Sequence, residues 1–435
     1  MSRPIVTLLV ALLCSGCCAV DSGPGGVVIF DSDPGHIWNR TYSCLFVRQG
    51  PSGIGLGSDS VDPLLWPQTR YLLTGESHQR ALACLDSFLS THAERAVQDP
   101  LRRAILQHDL WAIFDWAAAE DDDDFRPQRR QLESRLAKAI RRLALTSEQL
   151  GRLPDTYRAA VAAEGFAPAY DTHHMQQPFL PPDLFRSDGS WVCLSAYSKQ
   201  PTAIVHFTGR SRFLVFMKLP EGRNRTLAYI SKLRSSYEPL IRNESGMEFL
   251  NLALPQFPPG TEVALVRQMI AINNMGKLVP TRLTESVQLR VYHTITPGKK
   301  YMNYINGPSS HDQDFFEFQM SRQQLFAGHS GGLLAVAPNQ TQYATFSTHG
   351  LDPFEENSPS REGGVVLKRC PACHSDSGIH SVQSRVQWMQ RPSSDHELSS
   401  GPKGDPMMWE TIVTVSYKEH RQEFKLLQTL WAMRE

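Results

Sequence analysis

The residues best suited to chemistry lie close together near the C-terminal end of the chain. Cys370-Pro371-Ala372-Cys373-His374 places two thiols one helical turn apart, with an imidazole directly after the second. Thiolates are nucleophiles and soft metal ligands, and imidazole is a common nitrogen ligand. Three chemistries are open to such a set. The thiols can close a short disulfide. With His380 or His396 they can contribute to a Cys2His2 zinc site, although ligands this tightly adjacent rarely all reach one tetrahedral ion. They can also tether an organic group whose metal the imidazole then binds. Multiplying residue frequencies gives about 0.005 chance occurrences of C-x-x-C-H in a chain of this composition, so the spacing carries information.

The pentapeptide resembles the haem-attachment motif of the c-type cytochromes. That resemblance implies one covalent haem c, with Cys370 and Cys373 added across the haem vinyl groups and His374 as the proximal iron ligand. Two cysteines a turn apart can reach two vinyls on one porphyrin edge while the next residue turns its imidazole to the iron. For the sixth position Met407 or Met408 ranks first, with His380, His396 or five-coordinate iron as alternatives. Trp388, Met389, Met407, Met408, Trp409, Phe424 and Trp431 offer an apolar wall, and equally read as an ordinary small core. The pattern departs from class I cytochromes in two places. Gly363 to Arg369 reads as a strand rather than an amphipathic helix, and residues 411–417 (Thr-Ile-Val-Thr-Val-Ser-Tyr) also favour a strand. The implied function is electron transfer or redox sensing with a redox partner protein. The alternative is a non-enzymatic envelope protein whose C-x-x-C is a structural disulfide or zinc site.

A remote alternative is a serine hydrolase using Ser330. Gly328-His329-Ser330-Gly331-Gly332 fits the G-x-S-x-G nucleophile elbow, and His349, Asp352, His374 and Asp376 follow it. About 0.2 such matches arise by chance, and an elbow needs a buried strand before the serine and a helix after it. Here Ser321-Arg322-Gln323-Gln324 precedes and strand-like Leu333 to Pro338 follows, so the segment reads as a glycine turn between strands. The likeness to the Gly-Asp-Ser-Gly-Gly of trypsin-like proteases fails as well, since no Ala-Ala-His-Cys-type segment precedes it. His173-His174-Met175 lies among prolines and reads as an exposed linker, and His206 reads as a hydrogen-bonded sheet histidine. No phosphate loop or dinucleotide fingerprint occurs, which leaves nucleotide chemistry without support. Lys+Arg and Asp+Glu balance at 44 each, so no basic footprint marks nucleic acid as a partner.

The first twenty residues bear on compartment. Arg3 precedes an apolar run from Ile5 to Leu13 that is too short to span a bilayer, and residues 1–20 read as a signal peptide. Gly16-Cys17 is similar to the lipobox junction of bacterial lipoproteins, which implies acylation of Cys17, although Cys14 stands where Leu is usual and cleavage near Ala19 is the other option. The expected location is the periplasm or cell envelope, with the membrane touched only through a lipid anchor, in the outer membrane where the anchor is present. Haem attachment of this kind also occurs outside the cytoplasm. Sequons at Asn39, Asn224, Asn243 and Asn339 are read as chance. Outside the signal, Cys44 and Cys84 are candidates for a disulfide or for a buried unpaired Cys84, and Cys193 has no evident mate.

Elements must then position these groups. Residues 21–62 read as an extended Gly/Ser/Pro-rich segment. Over 63–165 the apolar period is helical: Ala81, Leu82, Leu85, Phe88 and Leu89; Leu101, Ile105, Leu110, Ile113 and Phe114; Leu132, Leu136, Ile140 and Leu143. The acidic run Glu120 to Asp124 lacks the spacing of a calcium loop and reads as a solvated turn. From 166 to 352 the period falls to two, with strands expected at Ala203 to Phe207, Arg212 to Leu219, Val263 to Ile272 and around Val287-Leu289-Val291 and Phe316-Phe318-Met320. Residues 353–435 form a small segment bearing the haem motif and closing on an amphipathic helix with Phe424, Leu427, Leu430 and Trp431. Strands without intervening helices predict an α+β protein with a mostly antiparallel sheet.

Overall fold

The computed structural model describes residues 28–49, 55–56, 70–119, 125–195, 200–206, 209–235, 240–242, 248–251, 253–295, 312–342, 364–365, 367, 374, 377–382 and 404–433. The chain is α+β, with helices first and a six-stranded antiparallel sheet after them. Cys17, Cys370, Cys373, His349, Asp352, Asp376, Trp388, Met389, His396 and the Glu120 to Asp124 run lie outside the described residues.

The first helix, α1 (Ile37–Phe46), falls inside the stretch expected to be extended. Trp38, Tyr42, Leu45 and Phe46 recur at helical spacing and are buried, so an apolar stripe prevails over the polar composition of its flanks. Asn39 fixes the approach to it. Its Oδ1 accepts from the backbone of Ile29 and Phe30, and its Nδ2 donates to the carbonyls of Asp31 and Asp33. With 1% exposure this asparagine is a structural clasp, and the sequon there is inaccessible. A short ribbon, β1 (Arg48–Gln49) and β2 (Gly55–Leu56), follows.

Helix α2 (Gly75–Ser90) carries Cys84, which forms a disulfide with Cys44 of α1. The bridge closes a sequence separation of 40, for which chain-entropy reasoning gives about 3–4 kcal/mol of stabilisation. We expect Cys44→Ser/Cys84→Ser to lose about that much in urea denaturation and to become insensitive to added reductant. An unchanged midpoint would mean that the bridge does not constrain the unfolded chain.

Asp99 accepts from the Leu101 amide and Pro100 occupies the first turn, starting α3 (Pro100–Ala118). This helix is buried on nearly all sides, which explains why its pattern is less one-sided than its neighbours'. Leu132, Leu136, Ile140 and Leu143 of α4 (Arg126–Leu143) are fully buried. A capping box between Thr146 and Gln149 opens α5 (Ser147–Gly151), and Asp155 caps α6 (Thr156–Ala162).

The main sheet runs in the order β10-β9-β8-β7-β4-β3, every pairing antiparallel. Its strands are β3 (Val192–Leu194), β4 (Ser211–Lys218), β7 (Glu262–Ile272), β8 (Leu278–Tyr292), β9 (Gln313–Met320) and β10 (Leu333–Ala335). Helix α7 (Arg223–Ser235) and the ribbon β5 (Leu240–Arg242) and β6 (Glu248–Leu250) lie between β4 and β7 in sequence, while β11 (Thr341–Gln342) pairs with β12 (Gly364–Val365). Alternation gives the sheet two faces. Leu214, Phe216, Val266, Val287, Leu289, Phe316 and Phe318 join the helices in one large core, so the helical and β-rich segments share their interior. Met217, Val263 and Tyr292 belong to a smaller cluster with Tyr229 and Ile230 of α7, Phe257 and Ile379.

Two expectations are corrected. Ile204–His206 is a 3-10 turn, not a strand. Pro201 and the left-handed Gly209 (φ +81°) bound the run, and Glu410 holds Thr202 through both its amide and its hydroxyl, leaving no length for a paired strand. Residues 411–417 lie in helix α10 (Pro406–Glu419), and α11 (Gln422–Ala432) follows. Asp405 caps the Met407 amide and Pro406 occupies the first turn. The helical disadvantage of Thr and Val is only a few tenths of a kcal/mol each, less than the contacts made by the buried face Glu410, Val413, Thr414 and Lys418.

The Gly328 to Gly332 segment follows α8 (Arg322–Phe326) and links β9 to β10. It has helix before the serine and strand after it, the reverse of a nucleophile elbow. A Cβ on Gly331 would sit 1.9 Å from the Thr156 carbonyl oxygen, so glycine here permits backbone contact with α6. Ser330 hydrogen-bonds no histidine among the described residues, and His329 engages Gln324 through Nδ1.

Candidate functional site

His374 lies on the second face of the sheet, and its surroundings are polar but closed. Its Nδ1 is 2.6 Å from the carbonyl oxygen of Ser381. A carbonyl can only accept, so Nδ1 carries the proton and Nε2 presents its lone pair. Around the ring the backbone is clamped. The His374 carbonyl accepts from Ser381 Oγ at 2.7 Å and from Gln313 Nε2 at 2.8 Å, and Ser381 Oγ meets Tyr292 OH at 3.3 Å. Arg290 donates to the Ser381 carbonyl at 3.2 Å and to its hydroxyl at 3.1 Å. Thus β8, the start of β9 and the short helix α9 (Ile379–Val382) together fix one imidazole.

The turn into α9 depends on Gly378. A Cβ there would fall 2.1 Å from Gln256 Oε1 and displace that amide, and φ is +59°, in the region that favours glycine. Gln256 uses that space to accept the Ile379 amide at 2.9 Å while donating to His380 Nδ1 at 3.0 Å. His380 Nε2 in turn donates to the Asn251 carbonyl at 3.0 Å. Both nitrogens of His380 are therefore committed to protein, which removes it as a ready zinc or iron ligand.

A second histidine faces the first. The ring of His206, on the 3-10 turn, lies parallel to that of His374, with planes 8° apart and centroids 6.0 Å apart. Phe213 of β4 backs His206 at 5.9 Å. Burial, followed by the nearby charges of Arg290 and Arg267, pulls the His206 pKa down to about 4. Burial likewise holds His374 well below the usual imidazole value, helped by Arg290 and His206. Both rings are neutral near pH 7, the form that coordinates metals. Arg290 is 5% exposed, and among the described residues no carboxylate forms a salt bridge with it. A buried cation of this kind suits an anionic group.

The other residues expected at the site lie elsewhere. Met408 is 57% exposed, and Met407 packs with the main core rather than with the cluster around Tyr292. Phe424 lies 6.1 Å from Trp111 in that same core, where Leu430 and Trp431 also pack. Of the expected apolar wall, Met407, Phe424 and Trp431 thus pack in or against the main core, while Met408 faces solvent. His173 and His174 are exposed, and His174 pairs with Asp171, as the linker reading implied. Among the described residues no group of three or more His, Cys, Asp or Glu side chains is placed to hold a metal ion.

Two further polar clusters accompany the histidine pair. Tyr170 OH, His293 Nε2 and Asp314 form a closed knot, with Asp314 Oδ2 at 2.5 Å from the phenol and 2.7 Å from the imidazole. Beneath α3, Glu285 with Arg267, Asp109 with Arg322 and Asp115 with Lys418 form buried ion pairs, and the neutral ring of His108 lies 3.5 Å from Glu285. A register shift in the β7–β8 pairing leaves Glu285 out of the ladder, beside Arg267 and His108. His108 is held well below its usual pKa by burial and by Arg210, Arg267 and Arg322. Solvent barely reaches these groups, and their role is to join helices to sheet.

The architecture is thus a helix-covered antiparallel sheet with a histidine pair on its second face. The chain matches no protein-family model, no curated protein and no solved structure. Among the described residues, no helix is long and apolar enough to cross a membrane.

Proposed function

We propose that this chain is an exported protein that carries one c-type haem on Cys370, Cys373 and His374 and functions in electron transfer or redox sensing. The observation that carries the reading is the clamped His374, whose Nδ1–H is spent on Ser381 and whose Nε2 remains as a ligand. Iron-binding histidines commonly have this arrangement, because a carbonyl partner fixes the tautomer and the ring orientation. Lone pairs on two neutral imidazoles, and a buried guanidinium with no carboxylate partner among the described residues, also suit the iron and a propionate of such a group. The Cys44–Cys84 disulfide agrees with an oxidising compartment, and a lipid anchor at Cys17 belongs to the same proposal.

Bound haem would supply one-electron redox chemistry. The chain's own part is to hold it. Each thiol would add its S–H across a vinyl double bond, sulfur to one carbon and hydrogen to the other, so no group would leave. His374 would supply a nitrogen to the iron, and Arg290 would offset negative charge on the group. Expression in a host with the c-type maturation system should give a pyridine haemochrome spectrum and a haem-sized mass increment, both lost in Cys370→Ala/Cys373→Ala. A colourless protein lighter by two hydrogens than the reduced chain would assign Cys370 and Cys373 to a disulfide. The non-enzymatic envelope protein would then be the better account.

A further inference from the structure

We propose that the cleft between α1 and α2 binds a small phosphate-bearing ligand. The site shares no residue with the His374 enclosure and does not rest on the haem reading. The cleft is open to solvent and holds about 710 Å³, within the roughly 300–1,000 Å³ typical of small-molecule sites. Ile37 and Arg40 line it from α1, Ser87 from α2, and His92, Arg95 and Ala96 from the 3-10 turn (Ala93–Arg95) that follows α2 and its flanks.

The lining is cationic. Among the described residues the half-buried Arg40 makes no side-chain hydrogen bond or ion pair. Arg95 meets an acid only at Nε, 3.6 Å from Glu94 Oε1, which leaves its terminal nitrogens without a partner among those residues. His92 Nδ1 lies 3.4 Å from the same oxygen. Glu94 itself is buried behind them and does not line the cleft. Two guanidiniums thus face one concave surface with a single acid to offset them, an arrangement that favours an anion.

The donors are side chains and not a helix end. At the start of α1, Asp33 Oδ1 accepts the Gly35 amide at 2.8 Å and His36 Nδ1 accepts the Trp38 amide at 3.3 Å, so those groups are spent. At the end of α2 the Thr91 amide and hydroxyl both donate to the Ser87 carbonyl, at 3.1 and 2.7 Å. The Ser87 hydroxyl makes no hydrogen bond among the described residues and stands beside the arginines as a further donor. Planar guanidiniums match the oxygens of a phosphate, while Ile37 and Ala96 give room for a short carbon skeleton. The walls are also braced: the Cys44–Cys84 disulfide joins α1 to α2 one turn from Arg40 and one turn from Ser87, which sets the cleft before the ligand arrives. Glycerol phosphate is a ligand of this class, as a free phosphomonoester or as the headgroup of an anionic lipid.

The test uses the full-length chain in a phosphate-free buffer of low ionic strength. Calorimetric titration with glycerol 3-phosphate should give a dissociation constant of about 1 mM or tighter that weakens with added salt, while glycerol gives no binding. Arg40→Ala and Arg95→Ala should each weaken it about tenfold, and Arg158→Ala, which removes an exposed cation outside the cleft, should leave it unchanged. The Arg95 side chain is 76% exposed, so its removal carries little risk to folding, and circular dichroism checks every variant. Co-sedimentation with vesicles separates the two sources. Stronger retention on phosphatidylglycerol than on phosphatidylcholine vesicles, lost in Arg40→Ala/Arg95→Ala and without affinity for glycerol 3-phosphate, would assign the cleft to a lipid headgroup. Binding to neither probe, or equal weakening by Arg158→Ala and Arg40→Ala, would overturn the proposal.

Discussion

Arg322→Met is expected to destabilise the protein by about 3–5 kcal/mol, among the largest effects a single side chain here can produce. Arg322 and Asp109 are 1% and 2% exposed, joined by two parallel bonds of 3.0 and 2.5 Å. The guanidinium also lies 5.2 Å over Tyr42 of α1. Removing it leaves a carboxylate inside the main core with its planar partner gone, and the cost of that buried charge exceeds the attraction that was lost. Asp109→Leu/Arg322→Met replaces the pair by apolar groups and should recover most of the loss, because neither charge then needs a partner. Urea denaturation of both variants, followed by far-ultraviolet circular dichroism, reads the difference. A single variant within about 1 kcal/mol of wild type would mean that water reaches Asp109.

Lys418→Met should cost a comparable amount, about 3–5 kcal/mol. The ammonium is fully buried, 2.7 Å from Asp115 of α3 and 3.1 Å from Glu423 of α11, and 5.4 Å from the Trp111 ring. It thus ties both C-terminal helices to the central one. Arg210 lies 3.6 Å from Asp115 and Arg421 2.9 Å from Glu423, so each carboxylate keeps one cation, which places the expected loss nearer the lower end. A pH signature accompanies it. Burial pushes the Glu423 carboxyl up, but Lys418 and Arg421 outweigh this and leave it below its ordinary value. A carboxylate lowered on folding contributes stability above the unfolded pKa and loses it as pH falls through the folded one. Lys418→Met should therefore show a shallower loss of stability on the acid side than wild type. Parallel acid profiles for the two proteins would place the coupling elsewhere.

Much of the fold was legible because periodicity reports burial. Leu132, Leu136, Ile140 and Leu143 repeat at helical spacing and are fully buried. Val287, Leu289 and Val291 alternate and share the main core. Where tertiary contacts outweighed local preference, the reading failed: the Thr/Val-rich stretch 411–417 is helical because Asp405 starts it and its buried face holds Glu410 and Lys418. Helix α1 was hidden by the glycines and prolines around it, although Trp38, Tyr42 and Leu45 kept the spacing.

The site divides along the same line. Sequence alone determined that two thiols and an imidazole stand together at 370–374, because spacing within five residues constrains what they can reach. It also determined the succession of helices before antiparallel strands, which follows from the period of burial. Only tertiary structure decided that His206 would lie 6.0 Å from His374, that Gln256 and Asn251 would occupy His380, and that Arg290 would enter the same enclosure. Such pairings depend on where a turn and a strand end after the sheet has formed. No short-range pattern records that, since the residues are separated by elements whose packing sets the distance.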